Sequence, residues 1–527
     1  MHVLIPLMVL IPLLGAATAL VSSRSHRLQV AISTSALSMT TVVAALLVWR
    51  SDAQGASVVY VGNWAAPWGI TLWVDRFSAM MLLVSSVVLL GVLVYAVGQG
   101  IADGNRETPV TIFHPTYLML AAGLFVAFTT GDLFNLYVGF ELLLGASYVL
   151  LTLGGTGARI RAGVTYIVIS LVSSVFFLAA IAMIYGATGT VNMAQVAQRI
   201  GDLPADTALL LHVMLLLGFA IKAALFPMSF WLPDSYPTAP APVTAVFAGL
   251  LTKVGVYAIV RTETLLFPTS GPGGDLRTPM MWVALATLVI GILGATVQAD
   301  IKRLLSFTLV SHIGYMIFGI SLGSRLGLNA TVYYVIHHIT VQTTLFLAVG
   351  LIERVGGTTS MSKLSGLLKR APIVAVLFFI PALNLGGIPP FSGFLGKAGL
   401  LVAGADEGGW VVWVVIAGAV ATSLLTLYAL MRVWNMAFWR SDEELEQGYS
   451  SRYINTLVEN PDAAQSVQVK EPTPRLMVSA TAGMVAVTLA LTIFAGNLFA
   501  FGDRTAAEIS DRDGVIAQVL PDQVSHG

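Results

Sequence analysis

Fourteen apolar stretches, each about as long as a helix that crosses a bilayer, follow one another along this chain. A helix needs about 20 mostly apolar residues to span the hydrocarbon core of a membrane. The stretches are centred near residues 11, 39, 86, 122, 143, 173, 219, 251, 290, 311, 341, 386, 424 and 487. The pattern predicts an all-α polytopic membrane protein of about 14 transmembrane helices, and we expect the first to be retained rather than cleaved as a signal peptide.

The composition supports this class and excludes several others. Only 10% of the 527 residues are charged, whereas a soluble domain carries about a quarter, so an ordinary soluble enzyme is excluded. Lysine plus arginine and aspartate plus glutamate each number 27, so no net charge attracts nucleic acid. The chain has no cysteine, which excludes disulfides and cysteine-ligated zinc or iron–sulfur centres. We expect no cofactor, no metal and no nucleic-acid partner.

The basic residues are unevenly shared between the two sets of loops that 14 alternating spans create. One set carries 15 lysines and arginines and the other carries 7, while the remaining five lie in or at the ends of spans. Loops rich in Lys and Arg stay on the cytoplasmic side. The bias therefore predicts that both termini lie outside.

Ionisable residues inside the apolar stretches are candidates for an ion pathway, because a charge in mid-bilayer costs at least about 2.5 kcal/mol. For the glutamate and the first two lysines, the alternative is a buried ion pair that fixes helix packing. For the first histidine, it is a hydrogen-bonded core residue. Adjacent residues point about 100° apart on a helix, so the sequence does not decide which of the paired histidines faces the pathway. The candidates are Glu141, Lys222, Lys253, His312, His337, His338 and Lys397.

Small and hydroxylated residues share a helix face with the candidate glutamate. Tyr137, Gly145 and Tyr148 lie four residues before, four after and seven after Glu141, which places all of them on one side of a helix. Such a face suits contact with other helices or internal water. We therefore expect it to be turned away from lipid.

Prolines interrupt two of the predicted spans at corresponding places. Pro227 follows Lys222, and Pro389 and Pro390 precede Lys397. Each proline lacks an N–H and clashes with the preceding turn, and paired interruptions in two halves of a chain indicate a transport pathway. The alternative is two unrelated kinks. Five spans in each half would make the second half run inverted in the membrane.

We therefore divide the chain into five parts. They are three N-terminal spans (1–110), a first five-helix repeat (111–265), a second repeat (278–440), a cytoplasmic linker (441–474), and a last span with an outer tail (475–527). The linker and the tail are polar, so each is either a solvated segment or a docking surface for partner subunits.

These residues resemble the antiporter-like membrane subunits shared by respiratory complex I, membrane-bound hydrogenases and Mrp-type multisubunit sodium/proton antiporters. The similarity runs from about Phe113 to Trp439, and its most specific part is KAALFPMSFWLPDSYPTAPAPVTAVFAGLLTKVGVYAIVR. Within the family, GDLFNLYVGFELLLGASYVLLTLGG is most similar to the D subunits of the Mrp type. Gln342 departs from relatives that have a lysine there.

The resemblance implies a 14-span core with two inverted repeats and broken helices 7 and 12. It implies a proton pathway through Glu141, Lys222, Lys253, His338 and Lys397, to which we add His312 from the sequence. It also implies other membrane subunits as partners, Na+ and H+ as the transported ions, and a bacterial inner membrane as the location. From electrostatics, we expect Glu141 and Lys222 to contact each other directly.

Three functions remain in competition. The first is an ion-exchanging subunit of a multisubunit Na+/H+ antiporter, and the second is a proton-pumping subunit of a redox complex of the complex I or hydrogenase type. The third is an inactive scaffold, which would not need Glu141, Lys222 and Lys253 together. In each case the chain is expected to be no enzyme.

Overall fold

The structure, a computed structural model, describes residues 3–100, 110–268, 271, 273–445 and 473–520. Within these residues, 13 helices are long and apolar enough to cross a membrane, and the twelfth predicted span consists of two shorter helices. The predicted fold class is therefore confirmed. We number the spans 1 to 14 in chain order: Leu4–Val21, His26–Gln54, Arg76–Gln99, Val110–Thr129, Leu133–Thr152, Gly157–Thr188, Ala205–Ala223, Ala241–Leu266, Arg277–Thr296, Ile301–Ser321, Arg325–Gly356, Pro372–Gly386 with Ser392–Glu407, Trp410–Trp439, and Arg475–Ile493.

Shorter elements cover the two ends of the bundle. We call the end that carries residues 495–520 the tail face, and the opposite end, which carries Asp442, the linker face. On the tail face lie an antiparallel hairpin (Ser57–Tyr60 with Thr71–Val74), the turn Val61–Asn63, and the helices Met193–Ile200, Ala495–Ser510 and Arg512–Val519. Towards the linker face lie Trp231–Ser235, Tyr236–Thr238, Met361–Lys363 and Leu367–Arg370. Residues 446–472 of the predicted linker lie outside the described residues.

Three spans form the centre of the bundle. The most apolar stretches of spans 8 and 11 are completely buried within the protein, and span 10 is nearly so. A central position explains why these spans tolerate polar residues, since their side chains meet protein rather than lipid. Spans 1, 2, 13 and 14 lie at the periphery, where less than half of the most apolar stretch of each span is buried within the protein.

The inverted repeat is visible in the way two spans begin. Asp132 caps span 5 by accepting the N–H of Asn135 at 2.8 Å, and Asp300 caps span 10 by accepting the N–H of Arg303 at 3.0 Å; aspartate is a preferred residue at this position. Asp132 lies on the tail face and Asp300 on the linker face, so the two starts point in opposite directions.

Short backbone pairings beside the two caps have the same pattern. Leu133 donates to the carbonyl of Val191 at 2.9 Å, and Ile301 donates to that of Thr359 at 3.0 Å. The return bonds run from Met193 to Gly131 and from Met361 to Ala299. Each second-repeat residue stands the same number of positions after its first-repeat counterpart, so one motif is built twice, once on each face.

Both predicted interruptions are present. Span 7 ends at Ala223, Ala224 adopts a left-handed φ of 59°, and only the five-residue helix Trp231–Ser235 resumes after Pro227. The first helix of span 12 ends at Gly386, Gly387 has φ 84°, and the second helix of the span begins at Ser392. Since proline cannot donate to the preceding turn, backbone carbonyls are freed at both places.

The tail is folded rather than solvated. Its two helices, Ala495–Ser510 and Arg512–Val519, bury Ile509, Val515 and Val519. Arg325 at the start of span 11 pairs with Asp503 at 2.6 Å. The interpretation as a solvated tail is therefore wrong for residues 503–520, because an apolar stripe anchors them to the tail face; residues 521–527 lie outside the described residues.

Candidate functional site

Glu141 and Lys222 are joined through a third residue rather than directly. Lys222 Nζ donates to Ser174 Oγ at 3.2 Å, and Ser174 Oγ donates to Glu141 Oε1. Among the ion pairs of the described residues, none joins Glu141 to Lys222. The expectation of a direct contact is therefore wrong, because span 6 places a serine between spans 5 and 7.

The face of span 5 that carries Glu141 is turned partly towards the outside of the chain. Glu141, Tyr137 and Tyr148 are half-buried, and Gly145 is exposed. A Cβ added at Gly145 would meet no atom within 4 Å. Gly145 therefore meets no other helix among the described residues of this chain, and the expectation that this face is turned away from lipid stays a prediction.

A small cavity of about 30 Å³ adjoins Lys222. A cavity needs about 10–15 Å³ of such space to hold one water molecule, so this one has room for about two. Ser170, Ser173, Tyr166 and Tyr236 contribute polar atoms to its wall. These hydroxyl groups can therefore hydrogen-bond water molecules that lie between Lys222 and the linker face.

Lys253 lies in the middle of span 8, where the helix is irregular. Phe247–Leu251 forms a wider π turn, a feature that is frequent at functional sites. Lys253 Nζ donates to the carbonyl of Ala248 at 2.6 Å, and its side chain is fully buried. Gly255 allows the close approach to span 7, because a Cβ there would lie 2.8 Å from the backbone nitrogen of Ala223.

The histidines lie between Lys253 and Lys397. The rings of His312 and His338 are 5.3 Å apart, and no side chain of the described residues hydrogen-bonds either nitrogen of His338. His337 turns towards span 12, where its Nδ1 lies 2.9 Å from Ser392 Oγ. Both histidines are fully buried, and His338 lies against the His312 ring whereas His337 lies against Tyr334 and Ser392.

His312 is connected towards span 12 by tyrosines. Its Nδ1 lies 2.9 Å from the hydroxyl of Tyr334, and its ring centroid lies 5.5 Å from that of Tyr315. Lys397 Nζ in turn lies 5.4 Å from the centre of the Tyr315 ring. The two tyrosines thus bridge the space between the histidines and the last lysine.

The break in span 12 holds Lys397. Its Nζ donates to the carbonyls of Leu385 at 2.9 Å and Gly386 at 3.3 Å, and to Ser423 Oγ at 3.0 Å. The first two acceptors belong to the last turn of the first half-helix. Gly393 keeps the halves close, since a Cβ there would lie 1.9 Å from the carbonyl oxygen of Asn384.

The six predicted residues fall into two connected groups, Glu141 with Lys222 and His338 with His312 and Lys397, while Lys253 lies on span 8 beside span 7; together we call them the row. Lys222, Lys253 and Lys397 have no ion-pair partner among the described residues. No three His, Asp or Glu side chains converge to hold a metal ion in the part of the chain that the structure describes, and the expected absence of a metal stays a prediction. The row can carry protons between groups that are each costly to charge.

Sequence reasoning missed the hydroxyl groups that connect the row. Ser174, Tyr315 and Ser423 carry no charge and lie in apolar stretches that tolerate single hydroxyls. Their only signal was a hydroxyl on the inward face of a span, and many structural serines share that signal.

A sequence profile of the family described as NADH:quinone oxidoreductase/Mrp antiporter, TM, matches residues 130–426. The chain is 40% identical, over 448 residues, to the D subunit of the Na(+)/H(+) antiporter of Alkalihalophilus pseudofirmus, and the match covers 85% of this chain and 89% of the relative.

Solved structures of multisubunit membrane complexes are also similar. A chain of the Mrp complex from Dietzia sp. superposes with a TM-score of 0.84 at 33% identity and covers 98% of this chain and 99% of its own length. A chain of the archaeal membrane-bound sulfane sulfur reductase superposes with a TM-score of 0.86 at 25% identity and covers 99% of this chain and 100% of its own length.

Proposed function

The chain belongs to the NADH:quinone oxidoreductase/Mrp antiporter family of membrane proteins, and on that premise we propose that it is the proton-translocating D subunit of a multisubunit Na+/H+ antiporter. The single observation that carries the proposal is the row of buried ionisable groups from Glu141 to Lys397. Similarity to antiporter D subunits over most of both chains supports the choice within the family.

A proton moves along the row when the free energy of protonating one buried lysine rises relative to that of the next group. Burial disfavours an ammonium, and a nearby carboxylate favours it. Lys222 therefore keeps its proton while Ser174 connects it to Glu141, and loses it when that connection loosens. Lys253, His338, His312 and Lys397 accept the proton in turn, and the freed carbonyls at the span 12 break stabilise it on Lys397.

Cation transport is coupled to this row when another step shifts the connection of Glu141 to Lys222 through Ser174. One charge that crosses 100 mV involves about 2.3 kcal/mol, which is within the range of a gained or lost hydrogen bond to a charged group. The proposal assigns protons to this row, and assigns sodium to no residue of this chain.

The same proposal places the chain in a complex and in a membrane. The half-exposed face beside Glu141 suits a neighbouring membrane protein, so the chain works as part of a hetero-oligomer. The basic bias of the loops makes the linker face cytoplasmic and puts both termini outside a bacterial inner membrane.

In this proposal, each of the two repeats, residues 111–265 and 278–440, contributes one half of the proton pathway. The chain is a transporter subunit and not an enzyme, because its buried groups exchange protons only.

A proton-pumping subunit of a redox complex is the second candidate. The superposition on a chain of the sulfane sulfur reductase favours it, since that protein is described as an archaeal respiratory membrane complex. Neighbouring genes separate the two: small hydrophobic subunits indicate an antiporter, and cysteine-rich electron-transfer subunits indicate a redox complex.

The experiment is a pH-gradient assay in everted membrane vesicles that contain the whole operon, with Na+, Li+ and K+ added in turn. We expect Na+-dependent proton exchange that this chain alone does not provide. Exchange that requires a redox substrate instead of a cation gradient would overturn the proposal in favour of the second candidate. Full exchange by the purified chain would contradict its role as one subunit among several.

A further inference from the structure

A second cavity lies on the tail face, away from the row of ionisable groups. It has a volume of about 400 Å³, within the range of small-molecule sites. The hairpin loop Pro67–Ile70 covers it on one side, and the tail-face ends of spans 5 and 6 form the other. Its wall is mostly apolar and aromatic, and includes Trp68, Phe134, Ile181 and Tyr185.

One carboxylate, that of Asp132, faces this cavity. Asp132 is only 6% exposed, and burial raises its pKa to about 6, although the backbone N–H groups of Asn135 and Phe134 lower it. Among the described residues, Tyr185 is the only other titratable one in the wall. Ligand sites are mostly apolar concavities in which a small number of polar groups fixes the orientation of the ligand.

The second repeat shows what Asp132 lacks. Asp300, its counterpart, accepts a backbone N–H on one oxygen and the hydroxyl of Thr359 on the other. Val191 stands at the position that corresponds to Thr359, as their shared backbone pairing shows. No side chain of the described residues donates to Asp132, whose carboxylate receives the backbone N–H groups of Asn135 and Phe134, so the place that the Thr359 hydroxyl takes at Asp300 is left for a donor from the cavity.

We propose that this cavity is a binding site for an amphipathic organic cation, in which a primary ammonium or a guanidinium group is attached to an apolar body. The cationic group donates to the carboxylate of Asp132, and charge-assisted bonds of this kind are about twice as strong as neutral ones. The apolar body lies against Ile181 and Phe134. The aromatic rings of Trp68 and Tyr185 attract a cation by their faces.

Two sources can supply this chemistry at the membrane surface: the headgroup of an aminophospholipid and a soluble amine. An inorganic cation is disfavoured, because the wall offers few oxygen atoms to replace its water shell. A neutral or anionic ligand would leave the negative charge of Asp132 without an opposite charge in a mostly apolar cavity, which is costly.

The test is equilibrium dialysis of labelled 4-phenylbutylammonium against the assembled complex, in nanodiscs that contain only phosphatidylcholine. We expect saturable binding at pH 8 that is not displaced by the neutral 4-phenylbutanol. Asp132→Asn keeps the helix cap, since asparagine caps as well as aspartate, and should weaken binding by about tenfold or more. Asp300→Asn is the matched control and should leave binding unchanged.

Two further measurements keep the test decisive if Asp132→Asn assembles poorly. Val191→Thr installs the hydroxyl of the second repeat without removing the charge, and should also weaken binding. Lowering the pH from 8 to 5 should weaken wild-type binding by about tenfold, because the carboxyl is then mostly protonated. Displacement of the probe by phosphatidylethanolamine identifies a lipid as the source, and its absence identifies a soluble amine. Equal binding by wild type, Asp132→Asn and Val191→Thr would overturn the proposal, as would displacement by the neutral alcohol.

Discussion

The ammonium of Lys222 donates a hydrogen bond to the hydroxyl of Ser174, 3.2 Å away on span 6, and not to a carboxylate. A serine hydroxyl can accept one hydrogen bond while it donates another, and Ser174 donates to Glu141. The charge pair is therefore separated by one polar group that can rotate. A small change in span 6 is enough to connect or disconnect the two charges.

Replacing Ser174 by alanine should slow antiport by about tenfold or more, because a hydrogen bond to a charged group contributes about 1.5–3 kcal/mol. Ser174→Thr keeps the hydroxyl and should retain most activity. Ser86→Ala is the matched control, since Ser86 is also buried and donates to the carbonyl of Leu82 in its own helix, span 3. The measurement is the exchange rate in everted vesicles per assembled complex, and wild-type rates in Ser174→Ala would contradict a relay role.

Neutral replacements of the two charges should abolish exchange while the complex still assembles. We expect this for Glu141→Gln and for Lys222→Ala, whereas Glu141→Asp should retain part of the rate, because the charge survives and only its reach is shorter. The readout is again the rate per assembled complex. Normal specific activity with reduced abundance would mean that the two residues are structural.

The buried pair of Asp75 and Arg261 should be structural. The two side chains make two hydrogen bonds of 2.7 Å and are almost completely buried. Asp75→Asn leaves the arginine charge unpaired and should cost about 3–5 kcal/mol of stability. Thermal unfolding in detergent measures this. Asp275→Asn, which breaks an exposed pair with Arg277, should cost less than about 1 kcal/mol.

The pH dependence of the same pair follows from the direction of its pKa shift. Burial alone would raise the pKa of Asp75, but the charge and hydrogen bonds of Arg261 lower it below its usual value. Because the pKa of Asp75 is lowered on folding, the pair stabilises the protein at pH values above the ordinary pKa of an aspartate, about 3.9. This stabilisation is lost as the pH falls below that value. The stability difference between wild type and Asp75→Asn should therefore be constant from pH 6 to pH 9. A difference that disappeared at alkaline pH would contradict this.

Cysteine labelling tests the orientation, since the natural chain has no cysteine. Ser510 is exposed on the tail face, and Ser362 is exposed on the linker face. In intact cells with a permeable outer envelope, a membrane-impermeant maleimide should label Ser510→Cys and should reach Ser362→Cys only after lysis. The reverse pattern would place both termini inside.

The sequence predicted the spans and the breaks because both have strong one-dimensional signals. A long apolar stretch indicates a span, a proline inside it indicates a break, and a charged residue inside it, such as Lys222 or Lys397, indicates a candidate for the ion pathway. Ser174 has no such signal, and its role depends on the register of span 6 against spans 5 and 7. That register is set by packing, which a single sequence does not display.

Helical spacing also has a clear limit in this chain. It correctly groups Glu141 with Tyr137 and Gly145 on one side of span 5, because that grouping depends only on the helical period. It cannot tell what lies opposite that side. The tail was misjudged for a similar reason, since its charged residues hide the apolar stripe of Ile509, Val515 and Val519.

The inverted repeat has a consequence for the direction of transport. A rotation that exchanges the two faces brings one five-span unit onto the other, so the backbone alone gives inward and outward movement the same path. Any preference must come from side chains that differ between the units. Lys222 precedes its break while Lys397 follows its own, and Val191 stands where the other unit has Thr359. The ion gradients set the net direction of transport, and we expect these departures from symmetry to set how the exchange rate differs between the two directions.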